Sequence, residues 1–427
     1  MEAILLLGTM LLLLAFGVPI AFVIGLSSIT FLLITDMSPL ILISQRTVLG
    51  IDSFPLLAIP LFIFAGYLME TGGLSKRLVL CIEKILGGVP GGVGTVTIIC
   101  CAIFAALTGS GPATVAAIGA IMLPSLLNNG YSKAQASGIL ASAGALGPVI
   151  PPSIAMIVYG STMNTSIPEM FIAAIIPGVL LTVSFIVVNL LVNRNIKTQI
   201  QTVGSSSPRD IFISIRNAFP VLLLPLIVLG GIYKGIFTPT EAAVVAVVYS
   251  LLLSIVYKEF KFHNLIDSMK KTTVTSGMVM FIMAMSANFG WILSAAKIPT
   301  SIADSLLPFL GNKYIYIILL LVILFIAGCF MEVLALIVIL GPILIPIGVQ
   351  LGMDPLHLGV TFCIALVTGL ITPPFGINLF TTAAVAKTSF TEVVKGVFPY
   401  MIAAFVTIVI LAFVPWFTLW LPSLMPQ

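Results

Sequence analysis

Four stretches of the chain combine residues that expose backbone with side chains that carry oxygen. They are Thr108-Gly-Ser-Gly-Pro-Ala-Thr114, Gly144-Ala-Leu-Gly-Pro-Val-Ile-Pro-Pro-Ser153, Gly328-Cys-Phe-Met-Glu332 and Thr368-Gly-Leu-Ile-Thr-Pro-Pro-Phe-Gly-Ile-Asn378. Proline lacks an N–H, so a helix broken by it leaves carbonyls unpaired. A returning helix capped by Ser110 or Gly111, with Pro112 as its first position, points N–H groups and its positive dipole end into the break, which suits an anion. Carbonyl and hydroxyl oxygens suit a hard cation. Two cation sites follow. One joins the turn at Thr108, Gly109 and Ser110 to carbonyls near Gly144, Gly147 and Ile150; the other joins Gly328 and Glu332 to Thr368, Gly369 and Thr372. An anionic substrate between them would meet Ser110, Thr114, Pro152, Ser153, Gly376 and Asn378. Sodium is expected rather than a proton, because no chain of intramembrane acids is present. A single break reads as a packing kink, whereas four in two matched pairs argue for a site.

The elements that position these stretches must lie in a membrane. The chain has 427 residues, 60% of them apolar and only 7% charged, against roughly 25% charged in a soluble domain. A soluble enzyme, a nucleic-acid binder and a disordered protein are excluded. The expectation is an all-α polytopic membrane protein with about ten to twelve segments of about 20 residues. The five cysteines lie in or beside apolar runs and read as buried thiols rather than a disulfide or metal framework. The apolar start, Ala3 to Ile34, lacks a basic n-region and reads as a retained membrane segment rather than a secretory signal.

Sliding the chain by 222 positions lays Gly119 on Gly341, Pro124 on Pro346, Gly147 on Gly369, Pro151 and Pro152 on Pro373 and Pro374, and Pro177 on Pro399. Gly and Pro carry backbone constraints, so their shared register is informative. The expectation is two inverted-topology repeats of five crossings each, residues 1–197 and 218–427, joined by a cytoplasmic linker at 198–217. Each would hold a re-entrant hairpin (about 92–130 and 314–350) and a broken helix (133–164 and 357–386). Gly92 to Leu107 would make about 24 Å of helix, short of a core of about 30 Å. Residues 1–34 read as two short segments meeting at Gly17-Val-Pro19, with a single kinked helix as the alternative. Of the 18 Lys and Arg, fourteen then fall on one side, and only Arg46, Lys234, Lys297 and Lys313 on the other. The basic side is the cytoplasm, which puts both termini outside.

Other polar residues have plainer readings. His263 belongs to a solvated basic loop, and His357 to the outer interface. Glu241 caps a helix start. Glu332 is balanced between a cap and a gating role. Arg46 reads as a snorkelling residue of an outer loop, with docking as the alternative. No nucleophile–base set, metal-ligand cluster, phosphate loop or ATPase motif is apparent, so the chain is not expected to be an enzyme or to need a cofactor beyond its coupling ions.

Gly109-Ser-Gly-Pro-Ala-Thr-Val115, Gly147-Pro-Val-Ile-Pro-Pro-Ser153, Phe237-Thr-Pro-Thr-Glu-Ala-Ala243, Gly328-Cys-Phe-Met-Glu332 and Thr372-Pro-Pro-Phe-Gly-Ile-Asn378 resemble the large membrane subunit of tripartite ATP-independent periplasmic (TRAP) transporters. The resemblance covers essentially the whole chain. It implies sodium-coupled import of an organic acid, of the C4-dicarboxylate or sialic acid class, across the bacterial inner membrane by an elevator motion. It also implies a small four-helix membrane subunit and a periplasmic substrate-binding protein as partners. By motif, it places the ion sites around Ser110, Gly147, Gly328 and Thr372. The alternative is an autonomous divalent-anion/sodium symporter that needs no binding protein.

Overall fold

The computed structural model describes residues 2–86, 91–194, 196, 208–310 and 312–425. Met1, Lys197, most of the expected linker (198–207) and Gln427 lie outside the described residues.

The described chain is helical throughout. In the first part it forms α1 (Glu2–Ala15), α2 (Ile20–Thr35), α3 (Ile41–Leu49), α4 (Ala58–Thr71), α5 (Leu74–Leu86), α6 (Gly92–Thr108), α7 (Gly111–Asn128), α8 (Lys133–Gly144), α9 (Ile154–Met163) and α10 (Ile167–Val192). Then follow α11 (Pro208–Tyr233), α12 (Pro239–Val256), α13 (Phe262–Ala295), α14 (Ile298–Leu310), α15 (Lys313–Phe330), α16 (Val333–Gln350), α17 (Pro355–Thr368), α18 (Ile377–Ala386), α19 (Phe390–Phe413) and the short α20 (Trp416–Leu419). Among the described residues, nine helical segments are long and apolar enough to cross a membrane. Large apolar side chains stay exposed around the outside, such as Ile4, Phe16, Leu226 and Val256. Lipid, not water, is the solvent that such a surface fits.

Local chemistry sets the helix limits. Ser132 and Gln135 cap α8 reciprocally, as Thr238 and Glu241 cap α12, so Glu241 has the expected capping role. Asn312 and Asp354 accept N–H groups at the starts of α15 and α17. The chain leaves helix at 16–19, where Gly17 has φ +74°, and α1 and α2 pack against each other. Helices α6, α7, α15 and α16 have 17, 18, 18 and 18 residues, or about 26 Å each, a little longer than expected for the first arm.

Several sequence expectations need correction. His263 is on helix α13, which starts at Phe262, rather than in a loop: His263, Asp267, Lys270 and Lys271 sit on polar turns that stay helical beyond the apolar run, and His263 and Asp267 pair at 3.0 Å. Residues 208–217, expected in the linker, belong to α11. Arg46 is on helix α3, not in a loop. His357 is buried, not interfacial: its ring nitrogens lie 2.7 Å from Thr418 Oγ1 and 3.1 Å from the Ala412 carbonyl. Four cysteines are buried and Cys329 is half-buried.

Helices α2, α3 and α4 pack on α13, α12 packs on α4, and α11 on α5 and α12. A second group packs α7 between α6, α8 and α18, α19 on α8 and α10, and α17 on α15, α16 and α19. The long helix α13 also meets α16 across the boundary between the groups.

Candidate functional site

The first turn is built by a helix that stops and restarts. Gly109 ends α6 in the left-handed region (φ +60°), its N–H on the Ala105 carbonyl at 2.9 Å. Ser110 is the N-cap of α7, yet its hydroxyl makes no capping bond. The helix begins at Gly111, so Pro112 lies second in it, one place later than expected. The hydroxyls of Thr108 and Thr114 lie 3.1 Å apart, and Thr114 donates to the Ser110 carbonyl at 2.8 Å.

The facing wall is the break between α8 and α9. In a continuous helix the carbonyls of Gly147 and Pro148 would meet N–H groups at 151 and 152, both proline. Ser153 Oγ donates to the Pro148 carbonyl and accepts the Met156 N–H, so it caps α9. Backbone packs on backbone here: a Cβ added to Gly147 would stand 2.5 Å from Ser110 C and 2.6 Å from Gly111 N. Only hydrogen at that position permits the approach.

The second turn is built alike. Helix α15 stops at Phe330, and Glu332 is the N-cap of α16, its carboxylate accepting Leu334 N–H at 2.8 Å and Ala335 N–H at 3.2 Å. A Cβ on Gly369 would collide with the Gly328 backbone. Thr368 Oγ1 donates to the Ala365 carbonyl and Thr372 Oγ1 to the Thr368 carbonyl. Both Pro151-Pro152 and Pro373-Pro374 bonds are cis.

A cavity of about 350 Å³ lies between the turns. Gly109, Ser110, Gly111 and Pro112 reach it from one side, Glu332, Val333 and Leu334 from another, with Pro148, Leu370 and Ile377 between. Thr275, Met278, Val279 and Ile282 of α13 close it. Ser110, Thr108 and Thr275 also line a small side pocket with Tyr67, whose hydroxyl is 3.2 Å from Thr275 Oγ1.

Among the sequence candidates, the cavity brings together Gly109, Ser110 and Glu332. Thr108 is in the side pocket. Thr114, Pro152, Ser153, Gly376 and Asn378 are not on the cavity wall; Thr114 and Ser153 spend their hydroxyls on their own turns. Gly144 and Gly147 pack behind the first turn, and Gly369 packs on Gly328 at the second, whereas Ile150 lies against Gly178 of α10, and Thr368 and Thr372 bond within their own segment. Asn378 does not face the second turn. It reaches across to the first, where Nδ2 donates to the Ala141 carbonyl at 3.3 Å and buried Oδ1 has no partner. The α13 wall escaped the sequence reading, since Met278, Val279 and Ile282 look like any apolar helix face. No cluster of three or more metal-ligating side chains exists among the described residues.

Comparison with known proteins adds an independent line. The family described as the tripartite ATP-independent periplasmic transporter, DctM component, matches residues 7–417. The chain is 38% identical over 443 residues to the C4-dicarboxylate TRAP transporter large permease protein DctM of Vibrio cholerae, covering 96% of this chain and 95% of that one. It is 33% identical over 409 residues to the sialic acid TRAP transporter large permease protein SiaM of the same organism, covering 96% and 95%. The isethionate TRAP transporter permease protein DctMQ of Oleidesulfovibrio alaskensis is 38% identical over 409 residues, and there the chain spans 96% of itself but 64% of the relative. Among solved structures, the Alcanivorax borkumensis YdaH transporter superposes with a TM-score of 0.63 at 15% identity, covering 89% of each chain; this likeness concerns the fold alone. With its helical membrane architecture and a family match running almost end to end, the chain belongs to the DctM component family of the tripartite ATP-independent periplasmic transporters.

Proposed function

We propose that the protein is the large permease of a sodium-coupled importer of a small organic acid in the bacterial inner membrane. The observation that carries the reading is the cavity lined by two helix starts, Ser110–Gly111 and Glu332–Val333, each backed by a proline-broken segment. Helix starts offer N–H groups to a carboxylate, and carbonyls freed by the prolines offer oxygen to sodium. Energy comes from the ion gradient, so no catalytic set is needed. The named relatives are transporters of C4-dicarboxylates, sialic acid and the sulfonate isethionate, which supports a small organic anion as the substrate here.

Two inverted repeats with re-entrant hairpins organise the transporter in this reading. Its support is that α7 and α16 both start and end 222 residues apart, and that the cavity lies half-way along α13. The group containing α6–α9 and α15–α18 moves past the α2–α4 and α11–α13 group as an elevator, with both termini periplasmic. Partners are a small four-helix membrane subunit, fused in the DctMQ relative, and a periplasmic substrate-binding protein. The test is uptake of radiolabelled succinate and sialic acid into proteoliposomes holding this chain with its small subunit. Uptake should need both an inward sodium gradient and the added binding protein. Full-rate uptake without any binding protein would point to an autonomous symporter instead.

A further inference from the structure

A second and larger cavity, about 610 Å³, lies at the other end of α13 from Lys270 and Lys271. One wall comes from α3 and the second half of α13, the other from Ser161, Thr162 and Asn164 at the end of α9 and from Pro342 and Pro346 of α16. Arg46 is the single charged residue among the described residues that line it; no carboxylate does.

Arg46 is fixed rather than free to snorkel. Its guanidinium carbon sits 5.0 Å from the centre of the Trp291 ring. Just past it the chain is fastened to α13 twice: Asn288 Nδ2 donates to Thr47 Oγ1 at 2.8 Å, and Gly50, the C-cap of α3, packs on Ala287 so tightly that no Cβ would fit. A guanidinium over an indole keeps N–H groups available for the oxygens of an anionic partner such as a carboxylate or a sulfonate. Arg46 has no ion pair among the described residues. Opposite, the hydroxyls of Ser161 and Thr162 are buried without a hydrogen-bond partner, an arrangement that normally marks a group waiting for a ligand or water. The two cavities occupy neighbouring stretches of α13, where Ile282 lines one and Met283 the other.

We infer that this cavity is a capture site for the carboxylate or sulfonate group of an organic anion, with Arg46 as its charged anchor and Trp291 as the plate that orients it. The anion rests here before passing along α13 to the cavity between the turns. The role as an entry station rests on the transport reading above; the anion site itself does not.

Trp291 reports on the site directly. The chain has three tryptophans, so Trp416→Phe and Trp420→Phe leave Trp291 as the sole indole in the full-length protein. Quenching by iodide, an anion, is compared with quenching by neutral acrylamide at constant ionic strength. Succinate or isethionate should lower iodide quenching about threefold or more while leaving acrylamide quenching nearly unchanged, since a bound anion repels a second one. Arg46→Gln should remove both the iodide preference and the protection, and Arg46→Lys should keep the preference because charge remains. Iodide quenching that ignores both anions, or protection that persists in Arg46→Gln, overturns the site. Protection at Trp291 in a protein whose uptake ignores sodium keeps the site and removes the transport reading. Sodium-driven uptake by a protein that keeps Arg46 but shows no anion protection at Trp291 does the reverse, and a wild-type uptake rate in Arg46→Gln removes the entry role while keeping the anion site.

Discussion

Asn378, the second residue of α18, lies against Gly111, the first residue of α7: a Cβ on Gly111 would stand 2.8 Å from Asn378 Oδ1. An amide from one broken segment thus closes on the helix start of the opposite turn, tied there through the Ala141 carbonyl. Asn378→Ala removes that bond and leaves a void. The expected cost is about 1–3 kcal/mol of stability, read as earlier heat-induced aggregation, with uptake lowered more than expression. Asn378→Asp puts an unpaired charge in the same place and should be worse on both measures.

Gly147→Ala forces a methyl group into the Ser110–Gly111 backbone, and Gly369→Ala does the same against Gly328. Each displaces a turn from its supporting break by some tenths of an ångström to an ångström. Misplacement on that scale costs on the order of 100-fold in rate. Uptake in proteoliposomes should fall by about that factor in either variant. Gly230→Ala, where no atom lies within 4 Å of the added Cβ, should be indistinguishable from the wild type.

Ser110→Ala separates folding from function. An N-cap serine normally contributes about 1 kcal/mol through its hydroxyl, but the Ser110 hydroxyl makes no such bond. Stability should change by less than about 0.5 kcal/mol. The half-saturating sodium concentration for uptake should rise about tenfold, the effect of losing about 1.4 kcal/mol of ligand binding. A large stability loss without a change in sodium dependence would assign Ser110 to structure alone.

The breaks were legible because Gly and Pro announce themselves: the helices end or restart at 108–111, 144–154 and 368–377, and the chain offers no N–H at 148, 151, 152, 373 or 374. Membrane class followed from composition just as directly. What escaped depends on contacts distant in sequence. Asn378 sits in a motif beside Thr372, and nothing local says that it crosses to Ala141. His357 opens a helix like any interfacial residue, and only the return of α20 over it brings Thr418 into reach. The short helices α3, α5 and α14 were missed because they do not span. In α5, Leu74, Leu78 and Ile82 are buried while Lys76 faces out.

His357→Leu removes two hydrogen bonds and strands the Ala412 carbonyl. A stability loss of about 1–3 kcal/mol is expected. Because the residue is at the opposite end of α17 from Thr368, the sodium dependence of uptake should stay as it is. A shifted sodium midpoint in a well-folded variant would show that the ion site extends further than Thr368 and Thr372.

Sodium binding by the packed turns and breaks is tested most directly by the thermal stability of the purified protein in sodium chloride against potassium chloride. A ligand that binds only the folded state at 100 times its dissociation constant adds about 2.7 kcal/mol. The wild type should melt a few degrees higher in sodium, and Gly147→Ala and Gly369→Ala should each lose part of that difference. Equal melting temperatures in the two salts for the wild type would contradict such binding.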